Sequence, residues 1–245
     1  MKTLLCCMLL VLALSCKKTE SDIASPQNDT VLAEYPDWYT IKTPVDHEIE
    51  GVWGSRDKTL IISTGFALFR STDQGRHWQQ VHQQSIGMFG IVEYRDTLFT
   101  MTSLHNYQVL VSADNYSIDD GQSWQTYRGH NLAFDYIPSL GYKGFPVNPV
   151  VASNGTTYKI NQVFLDGPMA TTGIYETPGV ITSDGRRIDL PQLHQLQSLY
   201  LDDQQRLYIA GTDAVCGRGH SGQSFSFCNS KNGRGVVYIS KQPLP

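Results

Sequence analysis

Ser71-Thr72-Asp73-Gln74-Gly75-Arg76-His77-Trp78 is an octapeptide that returns later in the chain as Ser117-Ile118-Asp119-Asp120-Gly121-Gln122-Ser123-Trp124. Both copies read S-x-D-x-G-x-x-W, and both follow a short apolar run and precede a mixed polar one. Serine and aspartate side chains can hydrogen-bond to backbone N–H groups in a turn, and glycine can adopt a positive φ. The tryptophan would begin the return strand and pack inward. The octapeptide therefore predicts a tight β-hairpin that occurs twice.

The repeated octapeptide resembles the Asp-box, or BNR, repeat of sialidase-like β-propellers. The residues that carry the resemblance are Ser71, Asp73, Gly75 and Trp78 in the first copy, and Ser117, Asp119, Gly121 and Trp124 in the second. In that family the motif has a structural role, so the resemblance implies an architecture and no particular reaction.

A second hairpin, in which an apolar strand A turns into an apolar strand B, occurs four times along the chain. Each copy places turn-forming residues at the same point between its two strands. The copies span residues 51–63, 90–101, 149–160 and 198–210. Helical periodicity is nearly absent, while aromatic residues, Thr, Val and Gly are frequent, so the chain is expected to be all-β.

The hairpin from strand C to strand D is complete only in the two copies that carry the octapeptide. The third copy, residues 179–188, is shorter by one residue and has Ile188 at the tryptophan position. The fourth copy, residues 235–241, has no strand D after it. Residues 37–43, which contain Trp38, resemble a strand D with no blade in front of it. Such a strand could complete the last blade and leave no open end between the first and last blades.

These repeats predict a small all-β propeller with four blades, closed by an N-terminal strand that completes the last blade. Four-stranded blades with this repeat length fit residues 36–245, which form the predicted propeller domain. Five blades are the alternative, because residues 127–147 are long enough to hold extra strands.

The N-terminus predicts a lipoprotein signal peptide. Residues 1–15 contain one positive residue and an apolar run from Leu4 to Leu14 that is too short to span a bilayer. Ala13-Leu14-Ser15-Cys16 resembles a bacterial lipobox, which implies cleavage before Cys16 and a lipid such as palmitate on its thiol. An ordinary secretory signal is the alternative. Residues 16–35 are mostly polar and are predicted to form a flexible tether.

The five cysteines fit this interpretation, since Cys6 and Cys7 would be removed with the signal peptide and Cys16 would carry the lipid. Cys216 and Cys228 remain as an even pair, and we expect them to form a disulfide in an oxidising compartment. Two free thiols are the alternative. The expected location is the bacterial cell envelope, with the protein lipid-anchored on the periplasmic side or at the cell surface.

Composition argues against several classes of function. The formal net charge is −4 and there is no run of Lys or Arg, so nucleic acid is not expected as a partner. The seven histidines are isolated and no Cys/His spacing suggests zinc, so neither a metal nor another cofactor is expected. The glycine-rich residues 217–222 form neither a P-loop nor a nucleophile elbow.

Long segments on one face of the propeller are the predicted binding surface. A propeller places its A–B and C–D turns on one face, and its B–C loops and D–A crossovers, which are longer here, on the other. Aromatic side chains with a few polar groups suit a glycan or a protein surface. The candidates are His130, Tyr136, Tyr142, Phe145, Asp166, Arg218, His220, Phe225 and Phe227. Many of these aromatic side chains could instead pack the long loops against each other.

The predicted function is that of a membrane-tethered binding or scaffold module whose ligand is a protein or a glycan of the cell envelope or extracellular space. A glycoside hydrolase of the sialidase type, acting on envelope or host glycans, is the alternative. The F/Y-R-I-P motif of the sialidase family is missing before Ser71, and residues 134–138 keep its flanks but have Tyr136 in place of the arginine. No catalytic residue is therefore assigned, and an enzyme is not the favoured interpretation.

Two structural features would separate these functions. A hydrolase needs a concave pocket in which two carboxylates, or a tyrosine and a glutamate, are in contact. A protein-binding face should be flatter, with exposed aromatic side chains and few perturbed titratable groups. The carboxylates that could form a catalytic pair, together with Tyr136, Tyr142 or Arg218, are Asp135, Asp166, Glu176 and Asp213.

Overall fold

The computed structural model describes residues 34–131, 135, 144–219 and 223–244. The signal peptide, Cys16 and the tether up to residue 33 lie outside the described residues, so these expectations stay predictions. Within the described residues the regular elements are nineteen β-strands. They are β1 (Trp38–Lys42), β2 (Gly51–Gly54), β3 (Leu60–Ser63), β4 (Gly65–Ser71), β5 (Gln79–Met88), β6 (Gly90–Tyr94), β7 (Thr97–His105), β8 (Val109–Ser117), β9 (Gln125–Thr126), β10 (Phe145–Pro146), β11 (Val150–Val151), β12 (Thr157–Phe164), β13 (Tyr175–Thr182), β14 (Arg187–His194), β15 (Leu196–Leu201), β16 (Leu207–Gly211), β17 (Val215–Gly217), β18 (Ser226–Phe227) and β19 (Val236–Ser240).

Four antiparallel sheets form the blades of a propeller, which confirms the predicted all-β, four-bladed fold. Blade 1 contains β2 to β5, and blade 3 contains β11 to β14. Blade 2 contains β6 to β8, with β9 and β10 both paired to β8. Blade 4 has the order β1-β19-β16-β15. The five-blade alternative does not hold, because the described part of residues 127–147 adds β10 to blade 2 instead of starting another sheet.

The N-terminal strand closes the ring as predicted. β1 pairs antiparallel with β19, with Trp38 opposite Ser240 and Lys42 opposite Val236. The Trp38 ring meets the Tyr238 ring edge-on, with 6.1 Å between centroids. Blade 4 is therefore built from both ends of the propeller domain, so that β19 is paired on both sides and β1 is the outer strand of the blade.

The repeated octapeptide forms the C–D turns of blades 1 and 2. Ser71 Oγ donates to Asp73 Oδ1 (2.8 Å) and accepts the Gly75 N–H (3.0 Å). Asp73 Oδ1 also accepts the His77 N–H at 3.0 Å. The second copy makes the equivalent bonds among Ser117, Asp119 and Gly121, at 2.7 and 3.0 Å. The two glycines have φ values of 80° and 75°, in the left-handed region that favours glycine.

Each octapeptide turn also packs against the preceding blade. A Cβ at Gly75 would lie 2.9 Å from Ile41 of β1 in the last blade. Trp78 belongs to the same buried cluster as Ile41. The second octapeptide makes the equivalent contact with Ile61 of blade 1 through Gly121. The motif therefore ties neighbouring blades together by apolar packing, which is a structural role.

A disulfide closes the long insertion between β16 and β19. Cys216 and Cys228 are bonded, as predicted, and β17 and β18 form a small two-stranded sheet in the same insertion. None of the residues that the structure describes belongs to a helix long and apolar enough to cross a membrane.

Candidate functional site

The two faces of the propeller differ in loop length. The short-turn face carries the A–B and C–D turns, which in blade 1 are residues 55–59 and 72–78. The long-loop face carries the B–C loops and D–A crossovers, among them residues 43–50, 165–174 and 212–235. Of the candidate residues predicted from the sequence, Asp166 lies in the first of the last two loops, and Arg218, Phe225 and Phe227 lie in the second.

The disulfide-closed insertion meets the β12–β13 loop on the long-loop face. Arg218 Nε lies 2.9 Å from Oε1 of Glu176, and the Arg218 side chain is 73% exposed while that of Glu176 is largely buried. Gly219 lies beside both Phe225 and Ile174, since a Cβ on this glycine would come within 3.2 Å of each. Phe225 therefore helps to pack the two loops together, and Arg218 presents its guanidinium group to solvent.

The other described candidates have separate local roles. Phe227 is half-buried within the insertion, beside Gly233, and Asp166 is exposed in the β12–β13 loop. His130 is exposed and its Nδ1 lies 3.3 Å from Oδ2 of Asp135. Tyr136, Tyr142 and His220 lie outside the described residues, so their placement on the binding face stays a prediction.

Asp213 has a structural role at the base of the insertion. Its Oδ1 accepts the Ala214 N–H at 2.8 Å, and its Oδ2 accepts the Asn229 N–H at 3.1 Å, so it joins the two sides of the insertion. Lys42 Nζ lies 3.9 Å from the same carboxylate. The carboxylates considered for a catalytic pair thus have different partners: Asp135 with His130, Glu176 with Arg218, and Asp213 with the loop backbone.

Exposed apolar side chains concentrate on the long-loop face. Of the seven well-exposed large hydrophobic residues in the described part of the chain, five lie in B–C loops or at strand ends on this face: Phe66, Ile86, Tyr107, Val163 and Met169. Tyr107 and Met169 are 84% and 91% exposed. The exposed apolar side chains of the described residues therefore lie mainly on this face.

A carboxylate pair that sequence analysis missed lies in the crossover between β1 and β2. Glu48 and Glu50 share a side-chain hydrogen bond. Burial, and then the charge of Glu48, raise the pKa of Glu50 to about 7. Burial also raises the pKa of Glu48, against the opposing effect of His47. Both carboxyl groups therefore hold a proton more tightly than an exposed glutamate does. The i, i+2 spacing in an extended segment was the signal that could have found the pair.

A central cavity of about 340 Å³ is enclosed by the inner strands β2, β6, β11 and β15, one from each blade. Its wall combines polar groups with apolar side chains, which include Val52, Ile91 and Leu199. Phe145 also lines this cavity, and its ring meets the Tyr94 ring edge-on at 6.5 Å between centroids. The structure thus places Phe145 in the channel wall, where it packs against Tyr94 of β6.

The channel leads to the short-turn face. A second cavity, of about 380 Å³, shares Trp53, Glu93 and Tyr200 with the central one. Each of these residues is the penultimate residue of its inner strand, just before the A–B turn. The signal for them was present in the sequence, because aligning the A–B hairpins brings these three positions to the same end of the blades.

Among the described residues, no group of three or more His, Cys, Asp or Glu side chains is arranged to hold a metal ion. The strand order and the central channel define the class of protein: a four-bladed β-propeller with one elaborated face and a cavity on its axis.

The sequence matches no family model and no curated protein. Among solved structures, the chain is similar to the extracellular domain of a proposed one-component system from B. thetaiotaomicron, with a TM-score of 0.37 and 10% identity. It is also similar to a gluconolactonase from Xanthomonas campestris, with a TM-score of 0.28 and 17% identity. The alignments cover 86% and 81% of this chain, which spans 42% and 64% of those two chains. The propeller assignment rests on the strand pairing of the chain described above.

Proposed function

We propose that this protein is an extracytoplasmic binding module that is held to a bacterial membrane by a lipid on Cys16 and engages a protein through its long-loop face. The observation that carries this proposal is the concentration of exposed apolar side chains on that face, with Tyr107 and Met169 the most exposed. Apolar area in contact with water costs about 25 cal/mol per Å². A partner that covers these side chains removes that cost.

A protein surface fits the spread of these side chains better than a small ligand does. Phe66 and Ile86 belong to blade 1, Tyr107 to blade 2, and Val163 and Met169 to blade 3. A ligand that contacts all of them has to span three blades, as a protein interface does and a small molecule in a pocket does not. The exposed Arg218 adds a residue type that is enriched in interface cores.

The proposed location is supported by other features. The Cys216–Cys228 disulfide is a kind of bond that persists in oxidising compartments. Cys16 stands in a lipobox-like sequence, and the residues that follow it are mostly polar. A lipid there would hold the propeller at the membrane while the tether lets the binding face turn away from it.

A Cys16→Ser variant is expected to leave the membrane fraction. Its retention there would contradict the lipid anchor, but it would not affect the proposal that the long-loop face binds a protein.

The test of the binding face uses residues 30–245 as bait against envelope and culture extracts. One variant combines Phe66→Ser, Tyr107→Ser and Met169→Ser. The control is Ile118→Ser, which removes an apolar side chain that is 72% exposed in the second octapeptide, on the opposite face. Thermal unfolding establishes that both variants are folded.

We expect wild type and the control to capture the same protein and the long-loop variant to lose it. With the purified partner, the dissociation constant of the long-loop variant should rise by more than about tenfold, the equivalent of 1.4 kcal/mol. Equal capture by all three proteins would show that this face is not the binding surface.

A glycoside hydrolase is the second candidate, and the Glu48–Glu50 pair is the observation in its favour. A carboxylic acid with a pKa near 7 beside a second carboxylate is an arrangement that general acid catalysts use. A panel of fluorogenic glycosides tests this function. Turnover by wild type that disappears in Glu50→Gln would support the hydrolase, and absence of turnover by wild type would count against it.

A further inference from the structure

We infer that the central channel is a binding site for a small organic cation with an apolar body, entered from the short-turn face. This ligand is distinct from the protein partner proposed above, because the channel mouth and the long-loop face lie on opposite sides of the propeller. Three features carry the inference: the wall of the channel, the charge at its mouth, and the aromatic rings that line the mouth.

The channel wall suits the apolar part of such a ligand. A volume of about 340 Å³ is within the size range of small-molecule sites. Val52, Ile91, Val150 and Leu199 come from the four inner strands, line the cavity and are buried. Water beside such side chains forms few hydrogen bonds, so an apolar group that displaces it gains free energy.

The inner strands of blades 1 and 2 lie close together on the long-loop side. A Cβ at Gly51 would lie 2.5 Å from the Cα of Gly90, so blades 1 and 2 are in contact where their inner strands begin. Leu110 packs beside Gly90, and Phe145 and Val147 pass along the wall. The second cavity, which shares Trp53, Glu93 and Tyr200 with the channel, connects it to the short-turn face.

Glu93 gives this mouth an uncompensated negative charge. The other two acidic side chains of the mouth have cationic partners: Lys58 Nζ lies 2.8 Å from Asp203, and Arg70 Nη2 lies 2.7 Å from Asp120. Glu93 is exposed and forms no ion pair with any residue that the structure describes. A single charge beside a cavity with low-dielectric walls focuses its field on a ligand of opposite sign.

Aromatic rings complete the mouth. Trp53 and Tyr200 line both cavities together with Glu93. The faces of such rings attract organic cations, and more strongly when the cation is desolvated. The Tyr200 hydroxyl accepts the Gly54 N–H at 3.2 Å, and burial is the main cause that raises the pKa of Tyr200 to about 12, so the ring is neutral. Arg95 directly follows β6, and its guanidinium group lies 5.1 Å from the centre of the Tyr94 ring.

The first test uses three probes with the same phenyl body and different charge: 2-phenylethylammonium, 2-phenylethanol and phenylacetate. Isothermal titration calorimetry on the wild-type propeller should show the tightest binding for the cation, weaker binding for the alcohol and the weakest for the anion. Equal affinities for the three probes, or no binding of the cation at millimolar concentration, would overturn the inference.

The second test uses variants of the channel. Glu93→Gln should weaken 2-phenylethylammonium binding by about tenfold or more, as expected when one charge pair beside an apolar cavity is lost, and leave 2-phenylethanol unchanged. Asp189→Asn removes an exposed carboxylate from β14 on blade 3 and is the matched control. Val151→Trp enlarges a residue of the cavity wall that is 62% exposed, and should weaken binding of every probe that enters. Cation binding that is unchanged in Glu93→Gln or in Val151→Trp would overturn the site.

Discussion

The aspartates of the two octapeptides have a structural role, since their carboxylates accept hydrogen bonds within the turns. Burial of Asp73 opposes its ionisation, but hydrogen bonds from His77 and Ser71 outweigh burial and lower the pKa of Asp73 to about 2. Hydrogen bonds from the Ser123 side chain and backbone lower the pKa of Asp119 to about 2 as well. Both groups therefore stay ionised at physiological pH and accept turn N–H groups. A general acid or base has a pKa near the operating pH instead.

Glu50 is the opposite case, and it makes stability depend on pH. Burial and the Glu48 charge raise the pKa of Glu50 from 4.5 to about 7. Between these two values the folded protein therefore binds a proton that the unfolded chain has released. The contribution of this group to stability is full below about pH 4.5 and is lost as the pH rises through 7.

Replacing Glu50 with glutamine should remove this loss. We expect Glu50→Gln to be more stable than wild type at pH 8, by on the order of 1–3 kcal/mol, and about equally stable at pH 5. Urea unfolding at the two pH values measures the difference, with Asp189→Asn as a control for loss of an exposed charge. A stability difference that is the same at both pH values would contradict the raised pKa of Glu50.

At the scale of elements, a buried ionic cluster joins the A–B turns of blade 4 and blade 1. Arg206 Nε lies 2.8 Å from Oδ2 of Asp202, and Arg206 Nη1 lies 2.7 Å from Oδ2 of Asp57 in blade 1. Tyr208 donates its hydroxyl hydrogen to the same Asp202 oxygen at 3.0 Å. Arg206 and Asp202 are buried, so each depends on the other for compensation of its charge. The cluster thus connects the last blade to the first.

The environment of this cluster predicts a large effect of removing its cation. Arg206→Ala should lower the free energy of unfolding by about 3–5 kcal/mol, because it leaves the buried Asp202 carboxylate without a compensating positive charge. Lys58→Ala is the control, since Lys58 lies 2.8 Å from Asp203 on the same face but both side chains are exposed. Loss of this exposed pair should change stability little, because solvent screens it. Chemical denaturation compares the two variants, and equal losses would show that burial does not set the strength of these pairs.

At the scale of the whole molecule, closure of the ring is the feature on which the fold depends. β1 pairs with β19 along its whole length, from Trp38 to Lys42. Trp38 and Ile41 are buried in two different core clusters, so β1 contributes apolar packing as well as hydrogen bonds. Without β1, β19 would be an edge strand with apolar side chains, which is unfavourable in water.

A chain that begins at Pro44 should therefore lose the cooperative thermal transition of a chain that begins at Glu34. A peptide of residues 34–43, added in excess, should restore it by pairing with β19. The same peptide with Ile41→Asp serves as the control and should not restore it. Differential scanning calorimetry measures the transition, and an unchanged melting temperature in the shortened chain would show that closure by β1 is dispensable.

Much of the fold could be predicted from the sequence because its features depend on neighbouring residues or on repetition. The bonds of Ser71 and Asp73 in the turn are local, and the same side chains recur at Ser117 and Asp119. The A–B hairpins recur four times, and the missing strand D of the last blade has its match at Trp38. Cys216 and Cys228 are the two cysteines that follow the predicted N-terminal signal and lipid-anchor segment, so their pairing could be predicted from the number of cysteines. Hydrogen-bonded turns, and strands with alternating buried and exposed side chains, are specified by short stretches of sequence.

The positions and environments of individual side chains could be determined only from the tertiary structure. Phe145 was expected on an exposed loop, but it lines the channel because β10 pairs with the start of β8. The raised pKa of Glu50 arises from burial, and the channel mouth unites Trp53, Glu93 and Tyr200 from three blades. Strand type and turn chemistry are set within a few residues, so the sequence contains them directly. Burial, charge balance and the shape of a cavity arise from contacts between residues far apart in the chain, and these form only when all four blades pack around one axis.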